Sequence, residues 1–142
     1  MMSKGLGMNS DFMDAFERHW EDAELLLAEQ RYANADHLYG MSAECGLKGL
    51  MRCFGMKVIS GVPGKEDRRH ANEIWTRFEA YRSGHRHGVG YVLPENPFGN
   101  WDANQRYASR SCFNEADTRT HQEGARIVKR LVEKARKEGI LE

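Results

Sequence analysis

Apolar residues recur with the period of an α-helix in four stretches of the chain, and the stretch at residues 31–55 sorts its side chains onto three faces. At about 100° per residue, one of these faces is almost entirely polar. About a third of a turn away lies a broad apolar arc of the kind that packs into a protein core. The polar stripe consists of Asn34, His37, Met41, Glu44, Lys48 and Arg52, and the apolar arc of Ala35, Tyr39, Ala43, Leu47, Leu50, Met51 and Phe54.

A strip of small residues separates the polar stripe from the apolar arc. A glycine inside a helix costs about 1 kcal/mol relative to alanine, so Gly40, Gly46 and Gly49 need a physical reason. Close approach of another helix is the reason we expect. The strip consists of Ser42, Cys45, Gly46, Gly49 and Cys53.

The same helical period predicts three further helices. With the one just described, the predicted spans are about residues 10–30, 31–54, 66–81 and 115–139. Asn9 or Ser10 is suited to cap the first helix, and Gly55 to end the second in a left-handed conformation. Residues 56–65, rich in glycine and proline, read as a linker or turn, and no strand is predicted.

Residues 84–114 show no sustained period, although they contain four glycines, two prolines and five aromatic residues. Loops of this length are usually functional or disordered, and such aromatics are scarce in chains that never pack. We therefore expect an ordered excursion over one end of the helices, with a short helix near residues 102–109. The predicted architecture is an all-α, antiparallel four-helix bundle that forms one domain over residues 10–139, after a flexible leader over residues 1–9.

The charge balance excludes a strong global field, because lysine plus arginine equal aspartate plus glutamate at 21 each. Cations and histidines gather between residues 65 and 87, where an anion site is expected. Cys45, Cys53 and Cys112 lack CxxC spacing and read as reduced packing residues. The chain has no apolar run long enough to span a membrane and no signal-peptide pattern, so a cytoplasmic location is expected.

Three segments together resemble HEPN domains, the higher eukaryotes and prokaryotes nucleotide-binding family. The second predicted helix contains YANADHLYGMSAECGLKGLM, which resembles the second HEPN helix. The third opens with HANEIWTRF at 70–78, as in some members, and an aromatic stretch like theirs, NPFGNWDANQRYA at 96–108, precedes the last helix. The resemblance implies an all-α bundle that usually forms homodimers, often with a composite site at the dimer cleft. Some members accompany a partner nucleotidyltransferase.

Many HEPN proteins are metal-independent RNases with an arginine followed, after four to six residues, by a histidine. Arg82 and His87 in RSGHRH have this spacing, and so do Arg31 and His37 in RYANADH, which is as many matches as chance would give. Ser83 stands where those RNases tend to have asparagine, aspartate or histidine. If this loop is catalytic, His87 carries the proton and Arg82 clamps the phosphate. The alternative is a solvated basic loop.

The polar stripe offers a second set of candidate site residues. It either forms a buried polar network or is a solvated helix face with a surface ion pair at i,i+4 spacing. Side chains from the third helix and the excursion are candidates to join it, or else simply pair with surface charges. The candidate binding residues are Asn34, His37, Glu44, Lys48, His70, Glu73, Arg77, Arg106 and Tyr107.

Three functions therefore compete. The first is a nucleotide- or RNA-binding module, which the resemblance places in a bacterial toxin, defence or stress-response context. The second is an endoribonuclease that uses Arg82 and His87, and the third is a non-catalytic protein-interaction domain. No cofactor is expected, and a metal site is disfavoured because the chain lacks the Glu-x-x-His motif that helical bundles use for metals.

Overall fold

The structure is a computed structural model that describes residues 10–141, and it is mainly helical. The helices are α1 (Phe12–Ala28), α2 (Tyr32–Cys53), α3 (Ala71–Ser83) and α4 (Glu115–Lys137), and the strands are β1 (Val58–Ile59) and β2 (Val62–Pro63). Short 3₁₀ turns lie at Lys65–Asp67, Ala103–Tyr107 and Arg110–Cys112. The all-α prediction is confirmed, while the leader at residues 1–9 lies outside the described residues. Within those residues, no helix has both the length and the hydropathy needed to cross a membrane.

The helix ends follow local hydrogen bonding. Asp11 caps α1, because its carboxylate accepts a hydrogen bond from the Asp14 N–H at 3.0 Å. The predicted cap at Asn9 or Ser10 is thus slightly early. At the end of α2, Gly55 has a φ of 105° and ends the helix as the left-handed C-cap that the sequence predicts.

Residues 56–70 differ from the prediction in two respects. Val58 and Ile59 pair with Pro63 and Val62 in a two-residue hairpin, and the two residues between them have positive φ, the signature of a type I′ turn. Strands this short leave no alternating pattern in a sequence. The helix predicted from residue 66 begins only at residue 71, because residues 65–67 form a separate 3₁₀ turn.

Helix α2 lies at the centre and packs against each of the other three helices. Its predicted apolar arc is buried along its full length. The surrounding core includes Phe16 of α1, Trp75 and Phe78 of α3, and Val128 and Val132 of α4. Burial of this arc is the main favourable term that holds the helices together.

The helix directions do not simply alternate. Trp20 of α1 contacts Tyr39 while Phe16 approaches Gly46, so α1 runs antiparallel to α2 as predicted. In α4, His121 lies beside Asp36 and Val128 packs against Gly46, so α4 runs parallel to α2. An alternating bundle also has α4 parallel to α2, so this pair agrees with the antiparallel prediction. The prediction fails at α3: His70 lies beside Glu44 and Phe78 packs against Phe54, so α3 runs parallel to α2 as well. The reason is that residues 56–70 carry the chain back along α2 before α3 begins.

The glycines of α2 do meet close neighbours, and these neighbours belong to the same chain. A Cβ at Gly46 would press on Val128 and Phe16, and one at Gly40 would overlap the indole of Trp101. The close neighbours expected at these glycines are thus α1, α4 and the excursion. The space beside these glycines is filled within one chain, so they give no support for a dimer.

Candidate functional site

The polar stripe of α2 centres on a buried carboxylate. Glu44 and Lys48 are only 6% and 8% exposed, and Lys48 Nζ lies 3.0 Å from Glu44 Oε2. The other carboxylate oxygen lies 3.1 Å from Nδ1 of His70, at the N-cap of α3. The His70 side chain is 54% exposed. The middle of the stripe therefore forms a buried polar network, and its carboxylate orients an imidazole that solvent reaches.

Two more histidines lie close to this network. The imidazole of His37 stacks on Trp101, with ring centroids 5.7 Å apart, and burial lowers its pKa, as does the positive charge of Arg106. Burial also lowers the pKa of His19 on α1. Within the described chain, Nδ1 of both rings is buried without a hydrogen-bond partner. The sequence does not indicate His19 as a site residue, because it falls within the apolar period of its helix.

Of the other predicted binding residues, two on α3 are engaged elsewhere. Arg77 Nε lies 2.9 Å from Asp67 Oδ1, and this hydrogen bond raises the pKa of Arg77. Tyr81 also donates to Asp67, at 2.5 Å, so this group fastens the 3₁₀ turn to α3. Glu73 pairs with Arg69 at 3.2 Å. Of the three α3 candidates, only His70 contacts the stripe.

The remaining predicted binding residues lie towards the start of α2. Arg106 lies over the ring of Tyr107, 4.5 Å from its centroid, and Tyr107 is 77% exposed. Asn34 is exposed and lines a shallow cleft with residues in and around the third 3₁₀ turn, Arg110–Cys112. These three residues thus belong to a different surface from Glu44.

The predicted catalytic pair sits at the end of α3. The Arg82 guanidinium forms two hydrogen bonds with Glu79, at 3.0 and 2.6 Å, which neutralise its charge. His87 is exposed, and its ring lies 5.4 Å from that of His85. Of the Arg82 and His87 pair, only His87 borders the adjoining groove.

This groove, the His87 groove, has a volume of about 720 Å³ and lies between the loop after α3 and the end of α4. Lys134 spans it, donating to the Gly90 carbonyl at 2.7 Å and lying 4.6 Å from the Tyr91 ring centroid. Tyr91 donates to Glu138 at 2.6 Å. The lining that matters chemically is His85, Arg86, His87, Tyr91, Lys134 and Glu138. Cations and imidazoles therefore outnumber carboxylates, which suits an anion.

A second buried polar group ties the excursion to the helices. Asp36 Oδ2 lies 2.8 Å from Nδ1 of His121, and its other oxygen accepts from Gln105 at 2.7 Å. Nε2 of His121 lies 2.8 Å from Asn100 Oδ1. With Asp36 and His121 almost fully buried, this group positions the excursion and is closed to ligands. The sequence gives no hint of it, because Asp36 falls outside the polar stripe.

Among residues 10–141, no cluster of three or more histidine, cysteine, aspartate or glutamate side chains is placed to hold a metal ion. The described residues thus form a helical protein with a cationic groove beside the end of α4, a polar network centred on Glu44 and a second one centred on Asp36. A scan of protein-family models gave no match, and searches of curated proteins and of solved structures gave none either.

Proposed function

We propose that the chain is a HEPN-like nucleotide- or RNA-binding module that acts in the cytoplasm as a homodimer, in a bacterial toxin, defence or stress-response setting. The observation that supports binding is the His87 groove, where His85, Arg86, His87 and Lys134 face a single carboxylate. That carboxylate, Glu138, accepts a hydrogen bond from Tyr91. The setting and the dimer rest on the resemblance in sequence.

The groove has the chemistry that a phosphate backbone requires. Lysine and arginine bind phosphate through charge-assisted hydrogen bonds, and most of the affinity for RNA comes from such contacts. A volume of about 720 Å³ accommodates more than one phosphate group. Arg86 has no ion-pair partner in the described chain, so its charge is available to a ligand.

The binding test measures the anisotropy of a labelled single-stranded RNA at low salt. Arg86→Ala should weaken binding by roughly threefold to tenfold and reduce the salt dependence by about one phosphate contact. Arg130→Ala is the matched control, because it removes the same charge from an exposed pair with Glu123 on α4, outside the groove. Equal losses in both variants, or no binding by the unmodified chain, would contradict the proposal.

A metal-independent endoribonuclease is the second candidate, and the proximity of His85 to His87 favours it. Two imidazoles at this distance can divide the work, one taking the 2′-hydroxyl proton and the other protonating the leaving 5′-oxygen. The pairing of Arg82 with Glu79 counts against the predicted role of Arg82 as phosphate clamp. Lys134 is better placed for that role, because it lines the groove.

The cleavage test incubates purified protein with total RNA in the presence of a chelator. Loss of cleavage in His87→Ala, but not in His85→Ala, would support the predicted proton carrier. Loss in both variants would support a shared acid and base. An absence of cleavage together with an absence of RNA binding would leave the third function, a protein-interaction domain, for which a partner nucleotidyltransferase is the first protein to test.

A further inference from the structure

We propose that a second cleft, at the start of α2, is a separate binding site for one phosphorylated nucleoside, as a free mononucleotide or as the end of an RNA chain. This cleft, the Arg31 cleft, has a volume of about 370 Å³. Its walls come from residues 30–34 and 108–113, which meet only in the folded chain. The residues that carry the argument are Gln30, Arg31, Tyr32, Asn34, Arg110 and Phe113.

The two arginines of the cleft are available to a ligand. In the described part of the chain, neither Arg31 nor Arg110 forms an ion pair or a side-chain hydrogen bond, and both are exposed. Other arginines of the protein, such as Arg77 and Arg136, have carboxylate partners at 2.9 and 2.6 Å. Two unpaired guanidinium groups on facing walls retain the forked donors that match a phosphate group.

The carboxylate that contacts Tyr32 is already paired with another arginine. Tyr32 donates a long hydrogen bond of 3.4 Å to Glu115, at the start of α4. Glu115 is itself paired with Arg119 at 3.0 Å. Within residues 10–141 no carboxylate lines the cleft, so a bound phosphate meets only positive charge there.

The rest of the lining suits a nucleobase. Tyr32 and Phe113 are half-buried, and an aromatic side chain stacks on any base. The amides of Gln30 and Asn34 can hydrogen-bond to the edge of a base, because neither side chain forms a hydrogen bond within the described chain. The cleft therefore combines phosphate donors, aromatic surfaces and free amides within a volume near the lower bound for ligand pockets, about 300 Å³.

This site is distinct from the His87 groove and does not depend on the function proposed for it. The cleft lies at the first residues of α2, whereas the groove includes Cys53, its last residue. A helix of 22 residues is about 33 Å long, so one mononucleotide cannot span both sites.

Calorimetric titration of the full chain with AMP tests the proposal. AMP should bind, and adenosine and inorganic phosphate should each bind about tenfold more weakly or worse, because each lacks half of the contacts. Arg110→Ala and Arg31→Ala should each weaken AMP binding about tenfold while leaving the unfolding temperature unchanged. Arg130→Ala is the matched control, because it removes the same charge from α4 outside both sites, and it should leave AMP affinity within about twofold. Arg86→Ala reports on any AMP that binds in the groove instead.

Several results would overturn the proposal: no AMP binding at millimolar concentration, equal affinity for AMP and phosphate, or unchanged affinity in both arginine variants. Loss of AMP binding only in Arg86→Ala would place the nucleotide in the groove, which favours the proposed function but refutes the cleft. Competition by a 5′-phosphorylated trinucleotide, but not by its 5′-hydroxyl form, would identify an RNA end as the ligand. Without such competition, the ligand is a free mononucleotide.

Discussion

At the scale of single residues, Glu44 connects α2 to α3. It is buried, and its two oxygens contact Lys48 and His70. The i,i+4 spacing of Glu44 and Lys48 is visible in the sequence, but their burial is not. Burial depends on which elements cover the stripe, and that is decided by tertiary packing.

Replacing Glu44 with glutamine should destabilise the protein by about 3 kcal/mol, because it leaves the buried Lys48 ammonium without its counter-charge. Urea unfolding followed by circular dichroism measures this. The double variant Glu44→Gln with Lys48→Met should recover much of the loss, since it removes the buried charge as well. A single variant within about 0.5 kcal/mol of the unmodified chain would mean that the pair behaves like a surface ion pair.

The two half-buried histidines, His19 and His37, should make stability depend on pH. Burial lowers the pKa of His19 and His37 below the ordinary value of 6.5. Below pH 6.5 the unfolded chain therefore binds more protons at these positions than the folded chain. The stabilisation is fully present above pH 6.5 and falls as the pH drops from 6.5 towards the folded-state pKa.

Thermal unfolding between about pH 7.5 and about pH 5.5 checks this dependence. The unfolding temperature should fall with acidification, and His37→Gln should reduce the slope. His87→Gln is the control, because His87 is exposed and should leave the slope unchanged. An identical slope in His37→Gln and the unmodified chain would contradict the prediction.

At the scale of elements, the apolar arc of α2 is predicted correctly because side-chain periodicity is a local property of the helix. The direction of α3 is not predicted, because it depends on how residues 56–70 return the chain along α2. The position of the excursion is not predicted either, because it depends on buried polar contacts such as Gln105 with Asp36, which join residues 69 positions apart in the chain. The two-residue strands of the hairpin are too short to be seen in the sequence.

Gly40 should be much less tolerant of alanine than Gly49. A Cβ at Gly40 would overlap the Trp101 indole, which is held by a hydrogen bond to the Asp36 carbonyl at 3.2 Å and by stacking on His37. Gly40→Ala should therefore cost about 1–3 kcal/mol of unfolding free energy. At Gly49 the overlap is with the end of the Met13 side chain, which can rotate away.

Chemical denaturation of the two glycine variants provides the comparison, and each serves as the control for the other. Alanine favours a helix interior by about 1 kcal/mol, so Gly49→Ala should be neutral or stabilising. Equal effects of the two substitutions would contradict the role assigned to Trp101.

At the scale of the whole molecule, the total charge is balanced, but cationic side chains are concentrated at particular sites. The sequence places the anion site between residues 65 and 87, and the His87 groove does take Arg86 and two histidines from that stretch. It also takes Lys134 from α4, which composition alone does not suggest. The Arg31 cleft is absent from the prediction, because its two arginines are 79 positions apart and meet only after folding.

Gly46→Leu distinguishes internal packing from dimerisation. Because Gly46 faces Val128 and Phe16 of its own chain, the leucine should lower the unfolding temperature of a dilute sample. The decrease should be the same at every protein concentration, as measured by calorimetry with parallel sedimentation. A loss that grows on dilution would instead indicate that the strip lies in an interface between copies.

The central position of α2 also bears on cooperativity. Its 22 residues include three glycines, so the isolated segment is a poor helix former and gains its order from the elements packed around it. Those elements in turn bury their apolar faces mainly against α2. Because α2 and the elements packed around it depend on each other for stability, the chain should unfold in one cooperative step, with no partly folded intermediate.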